Sequence, residues 1–204
     1  MKKILIGLIA LCLIAGITTA TPTADAFASS PVNEGNSIAD TAAIVSTWQN
    51  AGYSPDSRTT SAATKSTILD YWQNDPYLFF NNNIGHINTD TVHGAPANGV
   101  MAYDNEITST EIKYLYPYQG LQYSFIFMNG CNSYQNPLRN AFIVNNPQMY
   151  IGGVTLLPQY SSEDTAADFW DYFLIHDQEP ATALQNAVTD NGTNYMYGIW
   201  MSGE

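Results

Sequence analysis

From residue 37 onward, hydrophobic positions recur at two alternating spacings, one helical and one extended. In "SIADTAAIVSTWQNAG", Ile38, Ala42, Ile44, Val45 and Trp48 fall near one helical face, and Gly52 stops the helix. A second helix is predicted over "TSAATKSTILDYWQN", followed by the strand "PYLFFNNNIGH", which turns abruptly polar. "NGVMAYDNEIT" reads as a strand entering a hairpin at Asp104-Asn105, and "TSTEIKYL" as a short helix opened by a Thr108–Glu111 capping box. The apolar run "LQYSFIFMNGC" predicts a buried strand. A helix over Leu138 to Val144 and the strand "MYIGGVTLL" follow. "SEDTAADFWDYFLIH" and "PATALQNAVTDN" supply two further helices before a last strand, "NYMYGIWM". Strands separated by helices imply an α/β domain whose mainly parallel sheet is covered by helices on both faces. No repeat, linker or low-complexity segment divides it.

The first 36 residues follow neither spacing. Lys2 and Lys3 precede "ILIGLIALCLIAGI", and "AFA" at Ala26 to Ala28 has the small-x-small form that signal peptidases cut. Residues 1–28 are therefore expected to be a signal peptide and 29–36 a polar lead-in, leaving 37–204 as the domain; Ala20 and Ala26 are alternative cut points. The apolar run is short for a bilayer span of about 20 residues, so stable membrane insertion is not expected, although an uncleaved leader would tether the protein to a membrane. The expected location is secreted or extracellular, with cell-surface association as the variant.

Removal of the leader changes both charge and redox chemistry. Arg58, Lys65, Lys113 and Arg139 are left to face 17 acids once Asp25 is gone, a surface that repels nucleic acid and anionic lipid and accommodates a cationic partner. Cys12 leaves with the leader, so Cys131 has no disulfide partner. It stands after Gly130 at the polar end of a strand, and in a parallel sheet ligands bind outside the carboxyl ends of strands. A thiol there becomes a nucleophile when a base or positive charge raises its thiolate fraction. His86, in the polar turn after the preceding strand, is the candidate base. The other reading of Cys131 is a small apolar core residue. His176 at the end of an apolar helix suits the helix dipole, and the three histidines and single mature cysteine show no metal-ligand spacing.

The succession of a Gly-His turn after one strand, a hairpin running into "EITSTEI" and an apolar strand ending in "FMNGCNS" resembles the clan CD cysteine peptidases, the group of caspases, gingipains, legumains and separase-type CHAT domains. "NAFIVNNPQMYIGG" and "AADFWDYFLIHDQEPATALQNA" look like the next strand and helix pair of the gingipain-like and CHAT-like members, so the resemblance covers roughly residues 38 to 200. The caspase histidine lies about 50 residues before the cysteine; here His86 lies 45 and His93 38 residues before Cys131. The resemblance implies a caspase-like fold, a Cys-His dyad, acyl transfer through a thioester and no cofactor or metal. Backbone amides of Cys131 and Ile87 become the implied oxyanion donors. The expected substrate is a peptide or protein, with basic residues in view of the acidic surface.

Three departures accompany it. No apolar strand precedes the first helix, so the first strand is expected to be missing or degenerate. His86 is followed by Ile87 where the family has Gly, while the literal His-Gly pair is His93-Gly94, making His93 the alternative base. Asn129 stands two residues before Cys131, where some Arg/Lys-specific members carry an acid. The reading is thus a secreted, gingipain-like cysteine endopeptidase, with a non-catalytic secreted or surface binding module of the same fold as the alternative.

Overall fold

Phe127 on one face of a strand and Ile126 and Met128 on the other are all buried, which requires apolar cover on both sides of the sheet. The computed structural model describes residues 26–31, 37–74, 79–83, 87–89, 97–115 and 121–203. In it nine strands and six helices run in the order β1 (Ala26–Ser30), α1 (Ser37–Asn50), β2 (Pro55–Thr59), α2 (Lys65–Asn74), β3 (Phe79–Asn83), β4 (Ile87–Thr89), β5 (Ala97–Met101), β6 (Glu106–Thr108), α3 (Ser109–Lys113), β7 (Phe125–Asn129), α4 (Leu138–Ile143), β8 (Met149–Gly153), α5 (Gln159–Leu174), α6 (Pro180–Asp190) and β9 (Tyr197–Met201).

Six strands form one sheet in the order β2-β1-β3-β7-β8-β9, and β4, β5 and β6 form a small antiparallel one. The large sheet is parallel except for β9, which runs antiparallel to β8. Alternate strand residues feed two cores. Phe27, Phe80, Ile126, Met128 and Tyr150 meet Ile68 and Trp72 of α2 and Leu138 and Phe142 of α4. On the opposite face Phe79, Phe127, Met149 and Ile151 meet Ile44 and Trp48 of α1, Phe169, Trp170 and Phe173 of α5, and Leu184 and Val188 of α6. The predicted hairpin turn is present, closed by Ala102 N–H donating to Asn105 O at 2.9 Å. The predicted capping box is present too: the Thr108 side chain accepts from Glu111 N–H while the Glu111 carboxylate accepts from Thr108 N–H.

Two strands depart from the sequence reading. β2, "PDSRT", has no apolar pattern because it is the sheet's outer strand, held by the Asp56, Arg58 and Tyr71 side chains, with Arg58 Nη2 donating to the Tyr71 hydroxyl at 2.6 Å. β1 corrects three expectations at once. A first strand exists; it occupies "AFASS", and it lies between β2 and β3 with every residue buried. Ser29 and Ser30 are therefore strand rather than polar lead-in, and the folded unit begins at least as early as Ala26 instead of at residue 37. The strand escaped notice because a strand buried between helix layers accepts small residues, and "AFA" is the same string a signal peptidase reads. Residues 1–25 of the expected leader lie outside the described residues.

A cut after Ala28 would remove Ala26, Phe27 and Ala28, whose exposures are 0, 1 and 0%. Losing the Phe27 side chain alone costs about 3–5 kcal/mol by analogy with buried Phe truncations. A chain starting at Ser29 is expected to show no cooperative unfolding transition by circular dichroism, whereas one starting at Thr21 unfolds cooperatively. Intact mass of exported material is expected to place the cut after Ala20; a folded protein beginning at Ser29 would refute both.

Candidate active site

Cys131 sits two residues beyond the end of β7, half-buried, on a turn pressed against the end of β8. Why the chain turns here is legible atom by atom. Gly130 N–H donates back to Met128 O at 3.0 Å, Asn132 adopts a left-handed φ of 57°, and Ser133 N–H returns to Gly130 O at 3.2 Å. Asn is among the few residues that accept that φ readily. Ser133 Oγ lies 2.8 Å from both Met128 O and Gly130 O and accepts Gly153 N–H at 2.8 Å. Asn132 N–H and Tyr134 N–H donate to Thr155 O and Gly153 O at 3.0 and 2.8 Å, and the Tyr150 hydroxyl to Ser133 O at 2.6 Å. The turn can lie this close only because β8 ends in Gly-Gly. A Cβ on Gly153 would stand 2.6 Å from Gly130 O, and one on Gly152 2.8 Å from Ser133 Oγ.

The result fixes the thiol between defined groups. Leu157 N–H donates to Cys131 Sγ at 3.2 Å. The Cys131 N–H itself carries no hydrogen bond among the described residues, leaving a donor beside the sulfur.

Beneath the turn lies a polar network centred on the asparagines where the sequence turns abruptly polar. Asn81, Asn82 and Asn83 belong to β3 and are buried. On the α1/α5 face, Trp170 Nε1 donates to Asn81 Oδ1 at 3.0 Å, Asn81 Nδ2 to Asn83 Oδ1 at 3.1 Å, and Asn83 Nδ2 to Thr41 Oγ1 at 3.3 Å. Asn129, directly opposite Asn83 in the register, donates to Asn83 Oδ1 at 3.2 Å and Ser162 O at 2.9 Å, and accepts the Tyr197 hydroxyl at 2.7 Å. Asn129 is thus committed to β3, α5 and β9. Burial pushes the Tyr197 phenol well above its ordinary range; its bond to Ser162 opposes this, and the nearby Cys131 adds to it. On the other face Ser29 Oγ donates to Asn82 Oδ1 at 2.7 Å, while Asn82 Nδ2 has no partner among the described residues.

His86 and His93 lie outside the described residues, as do the turns that carry them. Ile87 opens β4, paired with Val100 of β5. His176 Nε2 lies 3.1 Å from Asp171 Oδ2 at the exposed end of α5, a pairing consistent with a structural role. Among the described residues no group of three or more His, Cys, Asp or Glu side chains is arranged to hold a metal, and no helix is long and apolar enough to cross a membrane.

No protein-family model and no curated protein sequence matches the chain. Solved structures do. The Arg-specific cysteine proteinase gingipain R superposes on 91% of this chain with a TM-score of 0.65 at 14% identity, and the match takes in 48% of its own length. The complex of the pro- and mature domains of Porphyromonas gingivalis RgpB gives 0.62 at 12% identity, covering 89% of this chain and 48% of that one. Saccharomyces cerevisiae separase bound to securin gives 0.55 at 12% identity, covering 94% of this chain and 13% of that one. The chain thus spans about half the length of the gingipain chains it matches and a small part of separase. The caspase-like fold expected from the sequence is the fold observed.

Two outcomes test the site's supports. Tyr197→Phe strips a donor from the buried Asn129 Oδ1 and is expected to cost about 1–3 kcal/mol in urea unfolding. Asp40 of α1 is raised above the usual carboxylate range by burial and by Asp164 and Asp168 of α5, partly offset by a hydrogen bond from Glu163. A carboxyl with a raised folded-state value holds its proton more tightly when folded, so it favours the fold at acidic pH and that advantage is lost as pH rises through the raised value. Asp40→Asn is accordingly expected to be more stable than the parent at neutral pH, with the difference closing as pH falls to about 4, near an unperturbed Asp.

Proposed function

We propose that the chain is the caspase-like catalytic domain of an exported cysteine endopeptidase in which Cys131 is the nucleophile and His86 the base. The observation that carries this reading is the setting of Cys131. It is a partly exposed thiol on a rigid turn at the carboxyl end of a central strand, with Leu157 N–H on its sulfur and its own N–H open beside it. A small apolar core residue needs none of this.

The tether supports His86. It follows Asn83 by three residues, and three residues span at most about 10 Å. Asn83 is itself bonded to Asn129, two residues before the cysteine. The short connection from this paired strand end supports His86 as the base. His93 is separated from Asn83 by ten residues and stands beside Gly94, which makes it the alternative.

The chemistry follows from these roles. The Cys131 thiolate adds to the scissile carbonyl carbon, and the oxyanion is met by the Cys131 N–H, with the Ile87 N–H as second donor. As the C–N bond breaks, His86 passes its proton to the departing amine, leaving a thioester. His86 then takes a proton from water, the hydroxide adds to the thioester carbon, and the C–S bond breaks to release the acid and restore the thiolate. A secreted binding module of the same fold is the second reading, favoured by Ile87 in place of the glycine that usually follows the histidine.

Mutation of each histidine separates these readings. Iodoacetamide alkylation of Cys131 near neutral pH is expected to slow about tenfold in His86→Ala and to be little changed in His93→Ala, with peptide turnover falling about 10²-fold or more in the first and little in the second. Loss only in His93→Ala would move the base to His93. No change in either, in folded variants, would leave the binding module.

A further inference from the structure

Two described segments beside the cysteine turn carry no charged residue in a chain whose formal net charge is −12. Residues 154–160, "VTLLPQY", reach the turn through Thr155 O, which accepts Asn132 N–H, and through Leu157 N–H on Cys131 Sγ. Residues 194–197 lie against the first segment, with Val154 N–H donating to Met196 O at 2.8 Å. Neither segment contains an acid or a base, and no charged residue occurs from Asn140 to Ser162 or from Asn191 to Gly203. The nearest acids in sequence are Glu163, which is buried, and Asp164, which is exposed one helical turn beyond Tyr160 on α5.

Large apolar side chains on these two segments face solvent. Leu156 is 65% exposed, Tyr160 60% and Tyr195 95%. Tyr195 also holds a left-handed φ of 64°, unfavourable for an aromatic residue. Its ring gains almost no burial in return. Backbone strain without a packing return collects at binding sites, and an apolar patch bordered by polar surface marks contact with a partner. Resting on the peptidase reading, we infer that Leu156, Tyr160 and Tyr195 form the subsite wall for apolar and aromatic side chains of an extended peptide beside the scissile bond. The occupant is an apolar peptide segment, because a lysine or arginine side chain would find no carboxylate on either segment. Continuity with the nucleophile, through one segment hydrogen-bonded to its turn and a second bonded to the first, argues for the occupant at the reacting centre rather than elsewhere on the surface.

The test separates binding from turnover. Cys131→Ala protein is titrated with two sets of fluorescent peptides matched in length, one rich in Leu, Phe and Tyr, the other with those positions changed to Lys and Arg. The apolar set is expected to bind about tenfold or more tighter, and Leu156→Ser/Tyr195→Ser in the same background to erase that difference. Tighter binding of the basic set, or an undiminished preference in the double variant, overturns the inference. So does a concentration-dependent dimer that the double substitution abolishes while peptide affinity stays unchanged, since the wall would then be an interface between copies. Turnover of the apolar set by the parent protein is scored separately. Apolar binding with no turnover leaves the subsite standing and removes the peptidase; turnover without the preference does the reverse.

Discussion

The carboxyl end of the sheet is held together by buried amides that must find partners or cost several kcal/mol between them. Asn83 and Asn129 meet across β3 and β7, and through Thr41, Ser162, Tyr197 and Trp170 they reach α1, α5 and β9. An apolar pair at the same positions would pack, but it would not specify which residue faces which. The directional bonds set the register of the strand that ends at Cys131 against the strand that leads toward His86. The cysteine turn depends on that register, because its own bonds run to Gly153 and Thr155 on the other side. Cys131 is thus clamped from both neighbours.

This arrangement also changes the meaning of Asn129. All of its side-chain polar atoms are engaged with protein groups and it is fully buried. Asn129 is therefore structural, while Leu156, Tyr160 and Tyr195 are apolar side chains that the described surface leaves exposed.

Periodicity made the fold legible wherever a face was apolar. Ile44 and Trp48, Ile126 to Met128 and the Phe169 to Phe173 run lie in the elements predicted for them. It failed where burial was achieved without hydrophobicity. "FFNNN" reads as a strand breaking into a turn, yet its asparagines stay in the strand because a polar network receives them. "PDSRT" and "AFASS" lack the pattern for opposite reasons, one being an outer strand secured by charged and phenolic side chains, the other a central strand built from small ones. Of the site, the cysteine and its strand end were readable from Gly130 and the polar residues around it. The Gly152-Gly153 seat and the contributions of Tyr197 and Leu157 were not, because they come from segments more than 20 residues away in sequence. Paired glycines at the end of an apolar strand were the one signal that a backbone approaches closely there.

The position of β1 has a consequence for the order of assembly. It is made before either neighbour, yet it lies between them: β2 begins 29 residues later and β3 53 residues later. A polypeptide emerging amino end first therefore carries an unsatisfied strand until Asn83 has followed it out, and neither core can close before then. Such long-range pairing raises contact order and slows folding. The delay leaves the backbone groups of "AFASS" without either partner strand until β2 emerges, and with one edge unpaired until β3 follows.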